Sequence, residues 1–236
     1  MTGWTQYRGL ANPDPRSEVQ LTVTAVMYNK AETLMLISGA LEETDTKLDV
    51  ASLSAWNQLI STFGASKDPE IIEYVRRGRI QRGMLHVNVN SSRATAQADV
   101  HQALLCCENI LMQMTLGAPA DAVGRRMDYP RFALMSRNQI ALRGWLGSDP
   151  AILRGLVERF IDEFGHSSDS KIRAMVCNIM EVDIELCSSP QYLGNLSGGK
   201  GRLYREILAT YAQDASISHK ARRVEEELIK LDMREH

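Results

Sequence analysis

Residues 93–116 of this chain read RATAQADVHQALLCCENILMQMTL. Apolar side chains recur along this segment every three or four residues, at Val100, Leu104, Cys107, Leu111 and Met114. That spacing places them on one face of an α-helix, and the segment therefore predicts a long helix from about residue 93 to 116. A helix of this kind needs other apolar elements to cover its face, which favours a helical protein.

Comparable patterns on both sides of this segment predict further helices. Glycine and proline mark several ends: Gly64 and Gly165 as helix stops, Asp149-Pro150 as a start, and Gly78 as the end of a helix capped by Ser66,. The predicted helices begin at Glu32 and Ser218 or span 49–63, 66–78, 119–127, 130–146, 150–165, 169–187 and 203–212. Two short alternating stretches, 19–28 and 84–89, predict at most one two-stranded β element. The fold class is mainly α, with either two lobes or one large helical domain.

Residues 19–216 are predicted to form the helical core, either as one domain or as two lobes, 19–116 and 117–216. The two ends of the chain differ from this core. Residues 1–18 predict an extended arm, since Asn12-Pro13-Asp14-Pro15 cannot continue a helix,. The arm carries Trp4 and Tyr7, which must dock either on this chain or on a neighbouring copy, and we expect them to mediate oligomerisation. Residues 217–236 predict a highly charged helix with a thin apolar stripe, which is either solvated or docked on a partner,.

Arginine replaces lysine completely in the middle of the chain. Twelve arginines and no lysine lie between Asp68 and Ser170, although the whole chain of 236 residues has a net charge of −2. Residues 68–143 hold ten arginines against seven acids, a local charge of +3. Guanidinium binds phosphate and carboxylate through paired hydrogen bonds and stacks on bases. The skew therefore has two interpretations: ion pairs that join helices, or a groove that holds a polyanion.

The stretch RRGRIQRG at 76–83 concentrates this charge, with four arginines in seven residues and two glycines. Glycine lets backbone N–H groups approach a phosphate, and arginine supplies charge and stacking. Further arginines at 124–143 could form a second wall of the predicted groove, and the ring of Tyr129 offers a face on which a base could stack,. Polyanion contact is the interpretation that this stretch favours, beside the alternative that cations stabilise a helix C-terminus.

Nothing in the sequence predicts an enzyme, a metal site or a cofactor site. The loop from Gly194 to Gly201 lacks the phosphate-loop pattern, and the four cysteines are expected to be buried free thiols,. Glu181, Asp183 and Glu185 are expected to form a solvated helix face. The N-terminus has no signal-peptide pattern, and no apolar run is long enough to span a membrane, so we expect a chain that works in the cytosol or in a virion assembled there.

Three stretches, in this order, resemble the nucleoproteins of segmented negative-strand RNA viruses of the phlebovirus kind. They are Arg77-Gly78 with Arg82-Gly83-Met84, then Ser92-Arg93 opening the long helix, then Asp121-Ala122 before Tyr129-Pro130-Arg131. The interval from Gly78 to Ser92 is shorter than in that family. Helical coat proteins of filamentous plant viruses are a neighbouring possibility.

The resemblance implies an all-helical, self-assembling protein that encapsidates single-stranded RNA without sequence specificity, in the virion and the host cytoplasm. The alternative is a helical matrix or scaffold protein that makes protein or membrane-surface contacts without RNA. A third alternative is a hydrolase built on Cys106 or Cys107. The residues expected to contact RNA are Arg76, Arg77, Arg79, Arg82, Arg93, Arg125, Arg126, Arg131, Arg137 and Tyr129.

Overall fold

A computed structural model describes residues 15–40, 46–89, 91–116, 129–188 and 199–234. Within these ranges the chain forms nine α-helices and no β-strand. The helices are α1 (Pro15–Ala40), α2 (Thr46–Phe63), α3 (Pro69–Asn88), α4 (Arg93–Leu116), α5 (Tyr129–Leu146), α6 (Pro150–Phe164), α7 (Ser170–Ser188), α8 (Gly199–Tyr211) and α9 (Ser218–Arg234). The mainly α-helical fold class is therefore confirmed. None of the described helices is long and apolar enough to cross a membrane.

The chain divides into two compact units, Met1–Cys106 and Cys107–His236, and the division falls within α4. In the first unit α1 packs on α2 and α3, and α2 packs on α3. Trp56 is fully buried at their junction, and the edge of the Tyr28 ring meets it at 5.2 Å between ring centroids. Burial raises the pKa of Tyr28 to about 12,. Tyr28 also meets the ring of Tyr74 on α3, with centroids 5.4 Å apart, so an aromatic cluster holds the three helices together,.

In the second unit α7 lies at the centre, packed against α5, α6 and α9, while α8 packs on α9. Its core is rich in aromatic side chains, among them Phe160, Phe164, Tyr204 and Tyr211. The ends of α6 follow the sequence closely. Asp149 caps its first turn by accepting a hydrogen bond from the Ala151 N–H at 2.8 Å, and Gly165 ends it,.

Both stretches predicted as strands are helical. Residues 19–28 lie in α1, and residues 84–88 form the last turn and a half of α3. In α1 the hydroxyls of Thr22 and Thr24 donate to carbonyl oxygens four residues earlier, at 2.9 and 2.7 Å, so that both threonines are satisfied within the helix,. The alternating valines were misleading because this helix is apolar on its outer face as well as on its buried face.

Several predicted boundaries also change. The extended arm is shorter than predicted, because Pro15–Glu18 form the first turn of α1; residues 1–14, with Trp4 and Tyr7, lie outside the described residues. Asp68 rather than Ser66 caps α3, and α3 continues ten residues past Gly78. The helix predicted at 119–127 lies outside the described residues, as does most of the Gly194–Gly201 loop.

The terminal helix α9 docks on its own unit. Its apolar stripe is buried in the second core, which corrects the expectation of a solvated or partner-bound helix. The stripe is formed by Ala221, Val224, Leu228 and Leu231. Because these residues recur every three or four positions, one narrow face suffices for docking and the many charges stay on the other face.

Candidate nucleic-acid interface

Helix α3 carries the four arginines of the basic stretch and runs without a break through both of its glycines. Asp68 starts the helix by accepting hydrogen bonds from the N–H groups of Glu70 and Ile71. A Cβ atom added at Gly78 would lie 2.9 Å from Leu59 and 3.3 Å from Trp56. Gly78 therefore allows α2 and α3 to pack closely, and the expectation that it frees backbone N–H groups for a phosphate is wrong.

Two of the four arginines are bound to neighbouring acids and amides. The Nε atom of Arg77 lies 2.9 Å from Glu73, one turn earlier on α3. Arg82 donates at 2.6 Å both to the Asn57 side chain on α2 and to Asp99 on α4, and its side chain is only 12% exposed. Burial lowers the pKa of Arg82, and Asp99 counteracts this effect,. Arg82 therefore joins three helices of the first unit.

Asp99 is shared between Arg82 and a histidine of α3. The Nε2 atom of His86 lies 3.3 Å from the second Asp99 oxygen, and its Nδ1 atom lies 3.0 Å from the Ser91 hydroxyl. This network fixes the end of α3 against the start of α4. Because Asp99 pairs with Arg82, part of the positive charge that we expected to bind a polyanion is neutralised within the protein.

The other two arginines of the stretch have no carboxylate partner among the described residues. Arg76 and Arg79 are half-buried and lie one turn apart, which places them on the same face of α3,. Both lie near the Cys106 thiol, whose pKa is raised by burial and lowered in part by these two guanidiniums. The Nε atoms of Arg79 and Arg82 are buried without a hydrogen-bond partner among the described residues. Arg76 and Arg79 therefore form no ion pair with an acid of the described residues.

The remaining expected RNA contacts fall in different places. Arg93 is exposed at the start of α4, and Arg131 is half-buried in the first turn of α5. Arg137, further along α5, has its pKa lowered by burial, and no carboxylate of the described residues pairs with it,. Arg125 and Arg126 lie outside the described residues. The structure thus brings together the α3 arginines, whereas Arg131 and Arg137 belong to the second unit.

Tyr129 is held by an acid rather than left open for a base. Its hydroxyl donates to the Glu163 carboxylate at 2.5 Å, and this hydrogen bond raises the pKa of Tyr129 to about 12. The edge of its ring packs on Phe164, with centroids 5.3 Å apart. A carboxylate at this position repels phosphate, so the surroundings of Tyr129 do not favour an RNA contact.

A cleft of about 520 Å³ with a mixed polar and apolar lining lies in the second unit and includes Glu163 and Phe164, the two contacts of Tyr129. Its floor includes Phe132, Ile140 and Phe160, and its polar lining includes Arg159, Asp162 and Glu163. The volume suits a small ligand or a few side chains, but the two acids again disfavour a phosphate chain. The cleft therefore differs in charge from the arginine-bearing face of α3.

A buried charged cluster that no sequence motif had indicated joins α6, α7 and α8. Asp183 is 1% exposed, which corrects its expected place on a solvated face. The Tyr204 hydroxyl donates to it at 2.8 Å, and the Lys200 Nζ atom lies 3.2 Å from Asp183 and 3.0 Å from Glu158. The sequence pattern that could have indicated this cluster is the four-residue spacing of Lys200 and Tyr204, which puts both side chains on one face of α8.

Within the described ranges no three side chains of His, Cys, Asp and Glu group in a way that could hold a metal ion. Cys106, Cys107 and Cys177 are buried free thiols, and Cys187 is half-buried. Comparison with protein-family models, with curated proteins and with solved structures finds no match to this chain. The resemblance to viral nucleoproteins therefore stays a prediction.

Proposed function

We propose that this chain is a viral nucleocapsid-type protein, which binds single-stranded RNA without reading its sequence and assembles with copies of itself. The observation that carries the proposal is the pair Arg76 and Arg79 on one face of α3. Neither faces a carboxylate of the described residues, whereas Arg77 and Arg82 on the same helix do. Two uncompensated guanidiniums one turn apart form a local anion-binding surface.

The chemistry of this pair suits a phosphate chain. Guanidinium donates paired hydrogen bonds to phosphate oxygens, and such contacts carry no sequence information. In the second unit Arg137 is another guanidinium without a carboxylate partner among the described residues, and it is a further candidate contact.

The proposal divides the predicted arginines into two roles. Arg77 and Arg82 support the fold through Glu73 and Asp99, and Arg76 and Arg79 contact RNA. Assembly is proposed to run through the N-terminal arm, with Trp4 and Tyr7 as anchors on a neighbouring copy, because buried aromatic side chains commonly dominate interface energies. In this proposal the chain acts in the host cytoplasm and in the virion.

The test compares two double variants of the full chain that lose the same charge. Arg76→Ala with Arg79→Ala removes the proposed contacts; Arg202→Ala with Arg222→Ala removes two exposed arginines of α8 and α9. Binding of a labelled uridine homopolymer is measured by fluorescence anisotropy at several salt concentrations, on protein freed of nucleic acid. Circular dichroism checks that both variants are folded.

We expect the α3 variant to bind at least about tenfold more weakly and its salt slope to fall by about 0.7 for each lost phosphate contact. The control variant should retain the wild-type slope. Equal losses in both variants would show that only net charge matters and that α3 is not the site. A wild-type chain that does not bind RNA even at low salt would favour the matrix or scaffold alternative.

A further inference from the structure

The outer face of α1 is apolar where a surface helix is normally most polar. Thr24, Tyr28 and Ala31 line its buried side, and the opposite side exposes a row of large aliphatic residues. Val19 is 63% exposed, Val26 62% and Ile37 46%. Val19, Val23 and Val26 are neighbours on the helix surface, and exposed apolar surface of this kind marks an interaction site more often than chance exposure does,.

The spacing of this row is that of a coiled-coil seam. Six exposed residues of α1 alternate at intervals of four and three: Val19, Val23, Val26, Lys30, Thr33 and Ile37. They fill the a and d positions of almost three heptads, a length of about 27 Å at 1.5 Å per residue. We refer to these six residues as the α1 seam. A row of this kind leaves water when a second helix packs along it.

We infer that a second copy of this chain covers the α1 seam with its own α1, in antiparallel orientation. A two-fold axis through the middle of the seam pairs each d position with an a position of the second copy. Val19 then meets Ile37 of the second copy, Val23 meets the methyl group of Thr33, and Val26 meets Lys30. All six positions find partners within the same seam, as an isologous interface requires.

Lys30 selects this orientation. In a parallel pair, equal positions face each other, so the two Lys30 ammonium groups would meet at one a position. In the antiparallel pair each Lys30 lays its aliphatic stem on Val26 of the second copy and keeps its ammonium group in water. A single lysine at an a position is a known device for fixing register at some loss of stability.

The flanks of the seam favour a second copy over a charged partner. Gln20, Thr22, Met27 and Asn29 beside the seam are uncharged, so two copies meet without like-charge repulsion and a charged partner gains nothing,. One helix pair is at the low end of specific interface sizes, and we therefore expect a weak dimer. This interface goes beyond the proposed function, because it requires no RNA and no contact of the N-terminal arm.

The first test is sedimentation equilibrium of the full chain, freed of nucleic acid. Val26→Lys would place a lysine opposite Lys30 of the second copy, and the two-fold axis would repeat this repulsion at a second contact. Dimerisation should therefore weaken at least about tenfold. Lys30→Leu should strengthen it by a similar factor. Gln97→Lys, at an exposed position of α4, serves as the matched control and should leave the equilibrium unchanged.

The second test determines orientation by disulfide trapping. A mixture of Val19→Cys and Ile37→Cys chains should form mixed disulfides, whereas Val19→Cys alone should not, since an antiparallel pair separates the two residues 19 by most of the seam. Cross-linking of Val19→Cys alone would mean a parallel pair and overturn the inference. A dimer that Val26→Lys leaves intact, or a chain with no dimer at all, would also overturn it.

These outcomes separate the inference from the proposed function. The Arg76→Ala, Arg79→Ala chain should dimerise like wild type. A chain that dimerises through the α1 seam and fails to bind RNA contradicts only the proposed function. A chain that binds RNA and shows no effect of Val26→Lys on association contradicts only the α1 seam.

Discussion

The hydroxyl of Tyr204 donates a hydrogen bond of 2.8 Å to the carboxylate of Asp183 in the interior of the second unit. Lys200, one turn before Tyr204 on α8, lies 3.2 Å from the same carboxylate oxygen. Burial beside Asp183 raises the pKa of Tyr204 far above its ordinary value, so that the phenol remains a donor at all physiological pH values,. One buried acid thus joins α7 to α8, and Lys200 extends the link to Glu158 on α6.

Replacement of Asp183 by alanine should destabilise the second unit strongly. The change leaves the Tyr204 hydroxyl without its acceptor and leaves Lys200 with Glu158 as its remaining acid among the described residues, and breaking a buried pair costs roughly 3–5 kcal/mol,. Because Lys200 is 18% exposed and keeps one partner, we expect a loss near the low end of that range. Chemical denaturation followed by circular dichroism measures it.

The matched control for this experiment is Glu206→Ala on α8. Glu206 pairs with Arg202 at 3.0 Å, but both side chains are well exposed, so the loss should stay below about 0.5 kcal/mol,. Equal losses for Asp183→Ala and Glu206→Ala would mean that the buried cluster adds no more stability than a surface ion pair.

The turn between α8 and α9 contains a carboxylate whose pKa depends on a serine. The hydroxyl and the N–H of Ser216 both donate to Asp214, at 2.7 and 3.0 Å, and these bonds lower the pKa of Asp214,. Ser216→Ala removes the hydroxyl, so the pKa of Asp214 should rise toward its ordinary value. Titration of the carboxyl carbon by NMR measures the change, and Ser218→Ala is the control.

The lowered pKa of Asp214 determines how this carboxylate affects stability as the pH changes. A lowered pKa in the folded chain stabilises it above the ordinary aspartate pKa of about 3.9, and this stabilisation disappears as the pH falls through the lowered value. The difference in stability between Ser216→Ala and wild type should therefore be present at neutral pH and vanish in strong acid. A difference that grows toward acid pH would contradict the assignment.

Local patterns in the sequence were sufficient for much of the fold. Helices α4, α6 and α7 were predicted to within one residue at each end, because an apolar period and a capping residue are features of a single segment,. The helix predicted at 49–63 contains Trp56, which is fully buried. Helix α1 was missed in part because its outer seam adds valines outside the buried face and obscures the helical period.

Features that depend on distant residues could not be read in this way. The role of Gly78 depends on Trp56 and Leu59 of another helix, and the burial of Asp183 depends on Tyr204, 21 residues away. The arginine stretch was predicted at the end of a helix that stops at Gly78, whereas all four arginines lie within α3. The division between Arg82, bound to Asp99, and Arg76, with no such partner among the described residues, follows from packing alone.

Stability measurements should separate the fold-supporting arginine from the proposed RNA contact. Arg82→Ala removes two short hydrogen bonds from a side chain that is 12% exposed, and bonds to charged groups contribute about 1.5–3 kcal/mol each,. Arg76→Ala removes no ion pair with a described residue and should change the free energy of unfolding by less than about 0.5 kcal/mol. Denaturant melts of both variants provide the comparison, and similar losses would rule out the division of roles on α3.

Two glycines in helices should respond in opposite directions to the same substitution. Gly78→Ala places a Cβ atom 2.9 Å from Leu59 and 3.3 Å from Trp56, and overpacking of this kind costs typically 1–3 kcal/mol,. Gly155→Ala on α6 meets no atom of the described residues within 4 Å, so it should stabilise by roughly 0.5–1 kcal/mol through the better helix propensity of alanine,.

Each variant is compared with wild type by thermal and chemical unfolding, with circular dichroism as the signal. Because both substitutions add one methyl group to a helix, Gly155→Ala controls for the gain in propensity that Gly78→Ala shares. The difference between them therefore reports the contact of α3 with α2. If Gly78→Ala stabilised the chain as much as Gly155→Ala does, the two helices would not pack closely at this position, and glycine would have no structural role within the arginine stretch.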